Sequence, residues 1–176
     1  MSEKSYKEYL RDITTFVFDV DGVLTDGSLR VTSDGQMLRK MSVRDGYALK
    51  TAIDQGFYVC IISGGSNEGV RHRLRGLGVT DIYLGVQDKV ETLDEYLDIY
   101  DIDKKNVLYM GDDIPDLYVM QQVNLPVCPQ DAAPEIKAIS KYVSHKKGGE
   151  GCVRDVIEQV LKIKGKWTAT TQAKFD

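Results

Sequence analysis

The sequence predicts an α/β protein built on a doubly wound, Rossmann-like parallel β-sheet. Three observations lead to this prediction. Short runs of β-branched and aromatic residues recur along the chain, helical patterns separate them, and the loops between them are short. Strands and helices that alternate in this way are joined by right-handed crossovers, which place the strands parallel and cover both faces of the sheet with helices.

Five segments are predicted as buried strands because each is a short apolar run bounded by polar residues or glycine. They cover residues 13–18, 58–62, 81–84, 107–110 and 125–127. The helical patterns that lie between and after them cover residues 47–55, 67–75, 89–99, 115–123 and 152–162. This order predicts a series of consecutive β–α units.

One segment interrupts the alternation of strands and helices. Residues 28–41 alternate apolar and polar side chains around Asp34-Gly35, a dipeptide that tolerates positive φ and is typical of hairpin turns. We therefore predict a β-hairpin that projects between the first strand and the first helix. Its apolar side chains need cover, either from a neighbouring subunit or from the hairpin's own domain. They are Leu29, Val31, Met37, Leu38 and Met41.

Length and composition restrict the classes of protein to consider. The 176 residues suffice for one domain with its own core, which we place at residues 1–162. The basic remainder, residues 163–176, is either a frayed terminus or an arm that docks elsewhere. A net charge of −4 argues against nucleic acids and anionic membranes as partners. The chain shows no apolar signal or membrane-spanning run, and its cysteines form no CxxC motif, so a cytoplasmic location is expected.

The residues that follow the predicted strands are suited to binding and catalysis. In an open parallel sheet, ligands bind beyond the carboxyl ends of the strands, where the connecting loops meet. Asp19-Val-Asp-Gly follows the first strand, and Ser63-Gly-Gly follows the second. Lys89 begins the third helix, and residues 111–116, Gly-Asp-Asp-Ile-Pro-Asp, follow the fourth strand. Carboxylates, a hydroxyl and an ammonium group are therefore expected to converge at one edge of the sheet.

The acidic residues among them predict a metal site. Asp19, Asp112, Asp113 and Asp116 would repel one another in a partly desolvated crevice, and a hard divalent cation relieves such repulsion. Mg²⁺ suits a site with two carboxylates, a carbonyl, waters and a phosphate oxygen. Two alternatives remain open: Asp113 and Asp116 cap the following helix, or Asp116 anchors Lys89.

The same residues are suited to phosphoryl transfer. A carboxylate held against a metal, here Asp19, can attack phosphorus, and a second carboxyl, Asp21, can protonate the leaving oxygen and later accept a proton from water. Lys89 would supply a positive charge to the phosphoryl oxygens, and Ser63 a neutral donor. The alternatives are that Lys89 is a solvated lysine at a helix start and that Ser63 is a turn or cap residue.

These motifs resemble, in order and spacing, the four motifs of the haloacid dehalogenase superfamily of phosphotransferases. The resemblance spans residues 13–160. It implies that Asp19 is the nucleophile and Asp21 the acid–base, with Mg²⁺ bound by Asp19, the Asp21 carbonyl and Asp112. Asp113 and Asp116 would support these ligands from behind. The dehalogenases lack an aspartate at the position of Asp21, so its presence favours phosphoryl chemistry.

The spacing of the motifs leaves no room for the cap domain that most members of this superfamily carry. A bare site excludes water poorly, so either the substrate is large or another subunit closes the site. Capless members with a hairpin resemble this chain, and they are sugar-acid phosphatases that form tetramers in which one subunit's hairpin covers the next subunit's site. The resemblance therefore implies a homotetramer of this kind.

Further motifs resemble those of the same sugar-acid phosphatases, which act on 3-deoxy-D-manno-octulosonate 8-phosphate or on nine-carbon ulosonate 9-phosphates. The motifs are residues 43–47, Arg73 with Leu77-Gly78, and residues 147–151. Where nine-carbon relatives place an acidic residue and a lysine, this chain has Gly65 and Gly76. The resemblance thus implies the eight-carbon substrate, whose free sugar acid is used in lipopolysaccharide biosynthesis. Alternatives are a nine-carbon substrate and a non-catalytic oligomerisation domain.

Four residues are candidates for binding the substrate. Arg73 and Arg44 could pair with its carboxylate or hydroxyls, since an arginine binds a carboxylate through two parallel hydrogen bonds. The alternatives are a solvated arginine on a helix face for Arg73 and a loop cation for Arg44. Gly64 and Lys147 complete the set, the first beside Ser63 and the second in the glycine-rich segment 147–151.

Overall fold

The computed structural model describes residues 4–167 and contains eight strands within them. In chain order the strands are β1 (Thr15–Phe18), β2 (Arg30–Val31), β3 (Met37–Leu38), β4 (Tyr58–Ile62), β5 (Asp81–Tyr83), β6 (Val107–Met110), β7 (Leu125–Cys128) and β8 (Tyr142–Val143). The helices are α1 (Tyr6–Leu10), α2 (Val43–Asp54), α3 (Glu68–Gly76), α4 (Lys89–Tyr100), α5 (Leu117–Met120), α6 (Pro134–Ile139) and α7 (Cys152–Ile163).

Six of the strands form one parallel sheet in the order β5-β4-β1-β6-β7-β8, which confirms the predicted fold class. β1 lies at the centre, and Phe18 at its end is opposite Ile61 of β4 and Met110 of β6. Because these parallel strands end within one residue of one another, the residues that follow them emerge at the same edge of the sheet. The chain order reverses at β1, where a ligand crevice is expected.

The two faces of the sheet bury separate apolar layers, as expected for a doubly wound fold. Phe16 and Phe18 face one side, where they pack in the cluster that includes residues of α2 and α7. Val17 faces the other side with Tyr96 of α4 and Tyr109 of β6. The side chains alternate because successive residues of a strand point to opposite faces. Each fully buried phenylalanine contributes about 2 kcal/mol to folding, so β1 is held firmly between the two layers.

The hairpin forms, but its strands are short. β2 and β3 pair antiparallel over Arg30 and Val31 opposite Leu38 and Met37, beyond a turn at Gly35 with φ of 85°. Among the described residues, only this hairpin separates the turn after β1 from α2, and no cap domain is inserted there. The predicted absence of a cap is therefore confirmed.

The helix predicted at residues 115–123 is wrong in its extent. A 3₁₀ turn over Ile114–Asp116 comes first, and α5 then makes only one turn. The chain must turn back after α5 because β7 begins at Leu125, directly beside β6. Three elements were not predicted, α1, α6 and β8. Each is too short for a hydrophobic period to show in the sequence.

α2 begins four residues earlier than its apolar pattern indicates, with Ser42 as its N-cap. The buried Asp45 in its first turn accepts a hydrogen bond from the Arg154 amide at 2.9 Å and so caps α7, which has no side-chain cap of its own. Trp167 of the tail packs beside Arg154, whose Cζ lies 5.3 Å from the indole ring. Residues 168–176 of the tail lie outside the described residues. None of the described helices has the length and apolar character that a bilayer crossing requires.

Candidate active site

The residues after β1 form a tight turn that presents Asp19 at the centre of the sheet edge. The Thr25 amide donates to the Val20 carbonyl at 3.1 Å, which closes the turn. Gly22 adopts a φ of 83°, a conformation that other residues rarely adopt, and a Cβ there would overlap the Asp112 carboxyl. Position 22 therefore requires glycine for two reasons, the backbone conformation and the close approach of Asp112.

A buried chain of ionic contacts links the nucleophile candidate to α4. Lys89 Nζ lies 2.9 Å from Asp19 Oδ2 and 2.7 Å from Asp116 Oδ1. Tyr109, on β6, donates its hydroxyl hydrogen to the same Asp116 oxygen at 3.1 Å. The Asp112 amide donates to Asp116 Oδ2 at 3.1 Å. Both oxygens of Asp116 are thus engaged, and the residue holds Lys89 against Asp19.

The electrostatics of this chain keep Lys89 charged. Burial alone lowers the pKa of Lys89, but the neighbouring carboxylates of Asp19 and Asp116 outweigh it, so the pKa lies above its ordinary value. An ammonium group fixed in this way provides a permanent positive charge beside Asp19. Such a charge attracts a phosphoryl group and stabilises the negative charge that develops on it.

The carboxyls of Asp19 and Asp112 carry strongly perturbed pKa values. Burial, and then the charge of Asp116, raises the pKa of Asp19 to about 7, although Lys89 opposes the shift. Burial, and then the charges of Asp19 and its other acidic neighbours, raises the pKa of Asp112 to about 8. In the metal-free protein the two carboxyls are therefore difficult to ionise at the same time, because their negative charges would repel. A divalent cation relieves that repulsion.

These residues fit a hard divalent cation such as Mg²⁺. Carboxylate oxygens of Asp19, Asp112 and Asp116 lie within 4.8 Å of one another. The Asp112 carboxyl accepts no hydrogen bond and forms no ion pair among the described residues, so it remains available as a ligand. The Asp116 side chain is only 1% exposed, and its two oxygens already accept hydrogen bonds from Lys89, Tyr109 and the Asp112 amide. Asp112 and the less enclosed Asp19 are therefore the carboxylates best placed to hold the ion.

The acidic turn opens onto a crevice of about 390 Å³. Ser63 and Gly64 line its wall after β4, and the buried Ser63 hydroxyl accepts a hydrogen bond from the Gly65 amide at 3.3 Å. The crevice thus combines carboxylates, an ammonium group and a hydroxyl beside glycine residues. Its described lining consists of Asp19, Asp21, Gly27, Ser63, Gly64, Gly65, Val86, Gln87, Lys89, Asp112, Asp113, Pro115 and Asp116.

Asp21 has a partner that the sequence did not indicate. Arg39, directly after β3, binds both its carboxylate oxygens, with Nε 2.8 Å from Oδ1 and Nη2 3.3 Å from Oδ2. The Arg39 side chain is only 9% exposed, whereas that of Asp21 is 38% exposed. The hairpin residues were predicted only as a covering surface, and no motif distinguishes one arginine of the segment from the others.

The glycine-rich segment 147–151 packs directly behind the turn after β1. The Gly149 amide donates to the Val23 carbonyl at 2.9 Å, and the Gly148 amide donates to Asp131 Oδ1 at 3.0 Å. A Cβ at Gly148 would overlap the Gly22 carbonyl. The segment therefore supports the backbone that carries Asp19 and Asp21, which is a positioning role.

Three predicted substrate-binding residues are not brought into the crevice of this chain. Arg44 lines a separate surface cavity with Arg154, on the outer side of α2. Arg73 lies on the side of α3 that faces α2, where a Cβ at Gly46 would be 2.7 Å from its Nη2. The Lys147 side chain is exposed, because the chain turns there to place Gly148 behind the turn after β1. Within one subunit these three side chains lie outside the described lining of the crevice, and their role in binding substrate stays a prediction.

Asp113 acts as a cap. Its exposed side chain lines the mouth of the crevice and accepts the Ile114 amide at 2.8 Å, so it caps the 3₁₀ turn as the alternative reading proposed. The structure thus brings together Asp19, Asp21, Ser63, Gly64, Lys89, Asp112 and Asp116, with Asp113 at the mouth.

Comparisons with known proteins agree with this geometry. A family model described as haloacid dehalogenase-like hydrolase matches residues 76–157. The 3-deoxy-D-manno-octulosonate 8-phosphate phosphatase of Salmonella typhimurium is 37% identical over 155 residues, which cover 88% of this chain and 82% of that protein. At this identity and coverage, the similarity extends through most of the chain rather than through isolated motifs.

Solved structures show the same fold. The phosphatase of that name from Yersinia pestis superposes with a TM-score of 0.93 at 34% identity, covering 97% of this chain and 92% of that one. The corresponding enzyme from Moraxella catarrhalis, in complex with a magnesium ion, a phosphate ion and a KDO molecule, gives a TM-score of 0.91 at 30% identity, covering 96% and 97%. The chain therefore belongs to the haloacid dehalogenase-like hydrolases, and within them to the family that contains these 3-deoxy-D-manno-octulosonate 8-phosphate phosphatases.

Proposed function

We propose that this protein is a Mg²⁺-dependent phosphatase that hydrolyses 3-deoxy-D-manno-octulosonate 8-phosphate to the free sugar acid and phosphate. The observation that carries the proposal is the contact of Asp19 with Lys89 in a crevice that also holds Asp21 and Asp112. The relatives that match most of the chain bear this activity in their names. The solved relative with magnesium, phosphate and the sugar acid supports the choice of substrate.

In the first step, Asp19 acts as the nucleophile. One of its carboxylate oxygens attacks phosphorus, and an aspartyl phosphate forms as the bond to the sugar oxygen breaks. Asp21 transfers its carboxyl proton to that leaving oxygen, which departs as a hydroxyl group. Lys89 and Ser63 lie in the same crevice, where they can hold the phosphoryl oxygens.

In the second step, water replaces the nucleophile. The Asp21 carboxylate accepts a proton from the water as its oxygen attacks phosphorus, and the bond between phosphorus and Asp19 breaks. Asp19 is thereby regenerated as a carboxylate, and Asp21 regains the proton that it gave up in the first step. The two steps together consume one water molecule and release phosphate.

Asp19, Asp112 and the backbone carbonyl of Asp21 would hold the Mg²⁺ ion. When bound, the ion supplies positive charge that neutralises the phosphate and the carboxylates beside it. Asp116 would take no part in this ligand set, since both its oxygens already accept hydrogen bonds in the buried contact with Lys89, Tyr109 and the Asp112 amide. It would instead keep the ammonium group at a fixed distance from the nucleophile.

We also propose that the protein is a cytoplasmic homotetramer in which one subunit's hairpin covers the next subunit's crevice, and that it serves lipopolysaccharide sugar synthesis. Apolar side chains on the hairpin support this assembly, because Val31 is 64% exposed and Met37 is 51% exposed in a single chain. Arg73 and Arg44 stay our candidates for binding the carboxylate or hydroxyls of the sugar acid, and neither belongs to the described lining of its own chain's crevice.

A panel of sugar phosphates tests the proposed activity. The purified protein with Mg²⁺ should release phosphate from the eight-carbon substrate with a kcat/KM at least about tenfold above that for nine-carbon ulosonate 9-phosphates, a difference of about 1.4 kcal/mol. Removal of Mg²⁺ with a chelator should abolish turnover. A preference for a nine-carbon substrate, or turnover that survives chelation, would contradict the proposal.

A further inference from the structure

The Asp21 carboxyl depends on one side chain for its orientation. Arg39 supplies every hydrogen bond that the described residues donate to it, through Nε at 2.8 Å and Nη2 at 3.3 Å. The pair is bidentate, so it fixes the plane of the carboxyl as well as its position. Without Arg39, the partly exposed Asp21 would be free to rotate towards solvent.

Arg39 contacts Asp21 from outside the described lining of the active-site crevice. Asp21 belongs to the described lining of the active-site crevice, and Arg39 does not. Arg39 instead lies with Ser63, Gly65 and Asn67 around a small gap behind the crevice wall. Its contact with the crevice among the described residues therefore runs through Asp21.

Gly65 leaves the space that this pair needs. A Cβ at Gly65 would lie 2.9 Å from Asp21 Oδ2 and 3.3 Å from Arg39 Nη2. The first distance is shorter than real Cβ contacts, so a larger residue would displace the carboxyl or the guanidinium group. The pair of Arg39 with Asp21 therefore requires a residue without a side chain at position 65.

The guanidinium group also ties Asp21 to the base of the hairpin. Arg39 Nη1 donates to the Met37 carbonyl at 3.1 Å. Asn67, the N-cap of α3, donates to the same carbonyl from its side-chain amide at 3.1 Å. The hairpin base is therefore joined both to the turn after β1 and to the segment after β4.

We propose that Arg39 is a positioning residue for the reaction: it holds the Asp21 carboxyl towards the leaving oxygen and makes that orientation depend on the docked hairpin. This inference rests on the proposed function, because it assigns Asp21 the role of general acid–base. Each carboxylate oxygen can accept more than one hydrogen bond. Oδ2, which makes the longer bond to Arg39, therefore keeps capacity for the proton that passes to the leaving oxygen.

Two phosphate esters that differ in their leaving groups test this role. An alkoxide needs a proton as it leaves, whereas a dinitrophenolate is stable without one. The parameter to measure is kcat/KM, which reports the steps up to the first loss of a leaving group. Arg39→Ala should lower kcat/KM for the sugar phosphate by about 10- to 100-fold, part of the effect of a general acid. For 2,4-dinitrophenyl phosphate the change should be less than about threefold.

Conservative variants and a control separate positioning from structure. Arg39→Lys keeps the charge without the two-pronged geometry, so it should restore kcat/KM for the sugar phosphate only in part. Arg39→Met keeps the apolar stem of the side chain, so it replaces Arg39→Ala in the test if that variant does not fold. Arg75→Ala, which removes an exposed arginine of α3, should leave both substrates unaffected.

A double-mutant cycle decides whether Arg39 acts through Asp21. Asp21→Asn should show the same selectivity between the two esters, and adding Arg39→Ala to it should lower kcat/KM for the sugar phosphate by less than about twofold more. Additive losses, or equal losses on both esters, would overturn the positioning role. If the unmodified protein hydrolyses neither ester, the proposed function fails instead, so the two failures are distinguishable.

Discussion

Asp19 must be ionised to act as a nucleophile, although its side chain is buried. A nucleophile must be ionised, yet burial and the charge of Asp116 raise the pKa of Asp19 to about 7. Lys89, at 2.9 Å, opposes that shift. The ammonium group therefore favours the ionised form of Asp19 as well as attracting the phosphate, and its own position depends on Asp116.

The substitution Asp19→Asn tests the nucleophile. Phosphatase activity should fall by at least about a thousandfold, because an amide oxygen cannot form the aspartyl phosphate. The thermal unfolding midpoint should not fall by more than a few degrees, since the buried Asp116 retains its contact with Lys89. Phosphate release and circular dichroism melting provide the two measurements. Asp103→Asn, at an exposed cap, is the matched control, and turnover retained by Asp19→Asn would exclude the role.

At the scale of elements, the active site is formed by loops at the sheet edge, and other segments of the chain pack against these loops and support them. The turn after β1 carries Asp19 and Asp21, and the segment 147–151 lies against its far side. The same segment leads into α7, which Asp45 of α2 caps. The positions of the catalytic carboxyls therefore depend on the packing of α2 and α7 as well as on β1.

A pair of glycine substitutions tests this bracing. Gly148→Ala would push a methyl group into the Gly22 carbonyl, so we expect a loss of about 2 kcal/mol in the free energy of unfolding. Because the turn would shift, kcat should fall by about tenfold or more. Gly76→Ala, where a Cβ meets nothing within 4 Å, should leave kcat unchanged. Equal behaviour of the two variants in urea unfolding and in kinetics would refute the bracing.

At the scale of the whole molecule, the hairpin exposes apolar side chains that a single chain does not cover. Its apolar side chains gain cover only if another surface meets them. We expect the double substitution Val31→Lys with Met37→Lys to shift the protein to monomers and to raise KM. Ile99→Lys, which charges an equally exposed apolar site on α4, should preserve the assembly. Size-exclusion chromatography with light scattering measures the effect, and a wild-type protein that is already an active monomer would rule the assembly out.

The coupled carboxyls predict how Mg²⁺ stabilises the fold. In the unfolded chain these groups ionise near the ordinary value of 3.8, whereas in the folded protein the pKa of Asp19 is about 7 and that of Asp112 about 8. Between these limits the folded state binds more protons, so the stability of the metal-free protein decreases as pH rises. Mg²⁺ competes with those protons and therefore stabilises more at high pH.

Thermal melts with and without Mg²⁺ measure this linkage. The increase in melting temperature caused by Mg²⁺ should be larger near pH 8 than near pH 5. Asp112→Asn should remove most of the increase at both pH values, because it removes a ligand and a titrating group together. An increase of the same size at both pH values would contradict the linkage.

Much of the fold was predictable from local pattern. The runs at Tyr58–Ile62 and Val107–Met110 match β4 and β6 in full, because a strand buried on both faces must be apolar throughout. Short or polar elements were not predictable in this way. α1 has five residues and β8 has two, so neither shows a period. β8 forms by pairing with β7 at the edge of the sheet, and α1 buries Leu10 in one of the apolar layers.

The sequence by itself determined which chemical groups meet at the sheet edge, because parallel strands that alternate with helices must present their following residues on one side. Only the tertiary structure decided which of these groups touch. Arg39 on Asp21, Tyr109 on Asp116 and Gly148 behind Gly22 are contacts between residues distant in the chain, and no local pattern encodes them. Side-chain contacts of this kind depend on how the packed elements place each backbone, which is settled only when the whole core has formed.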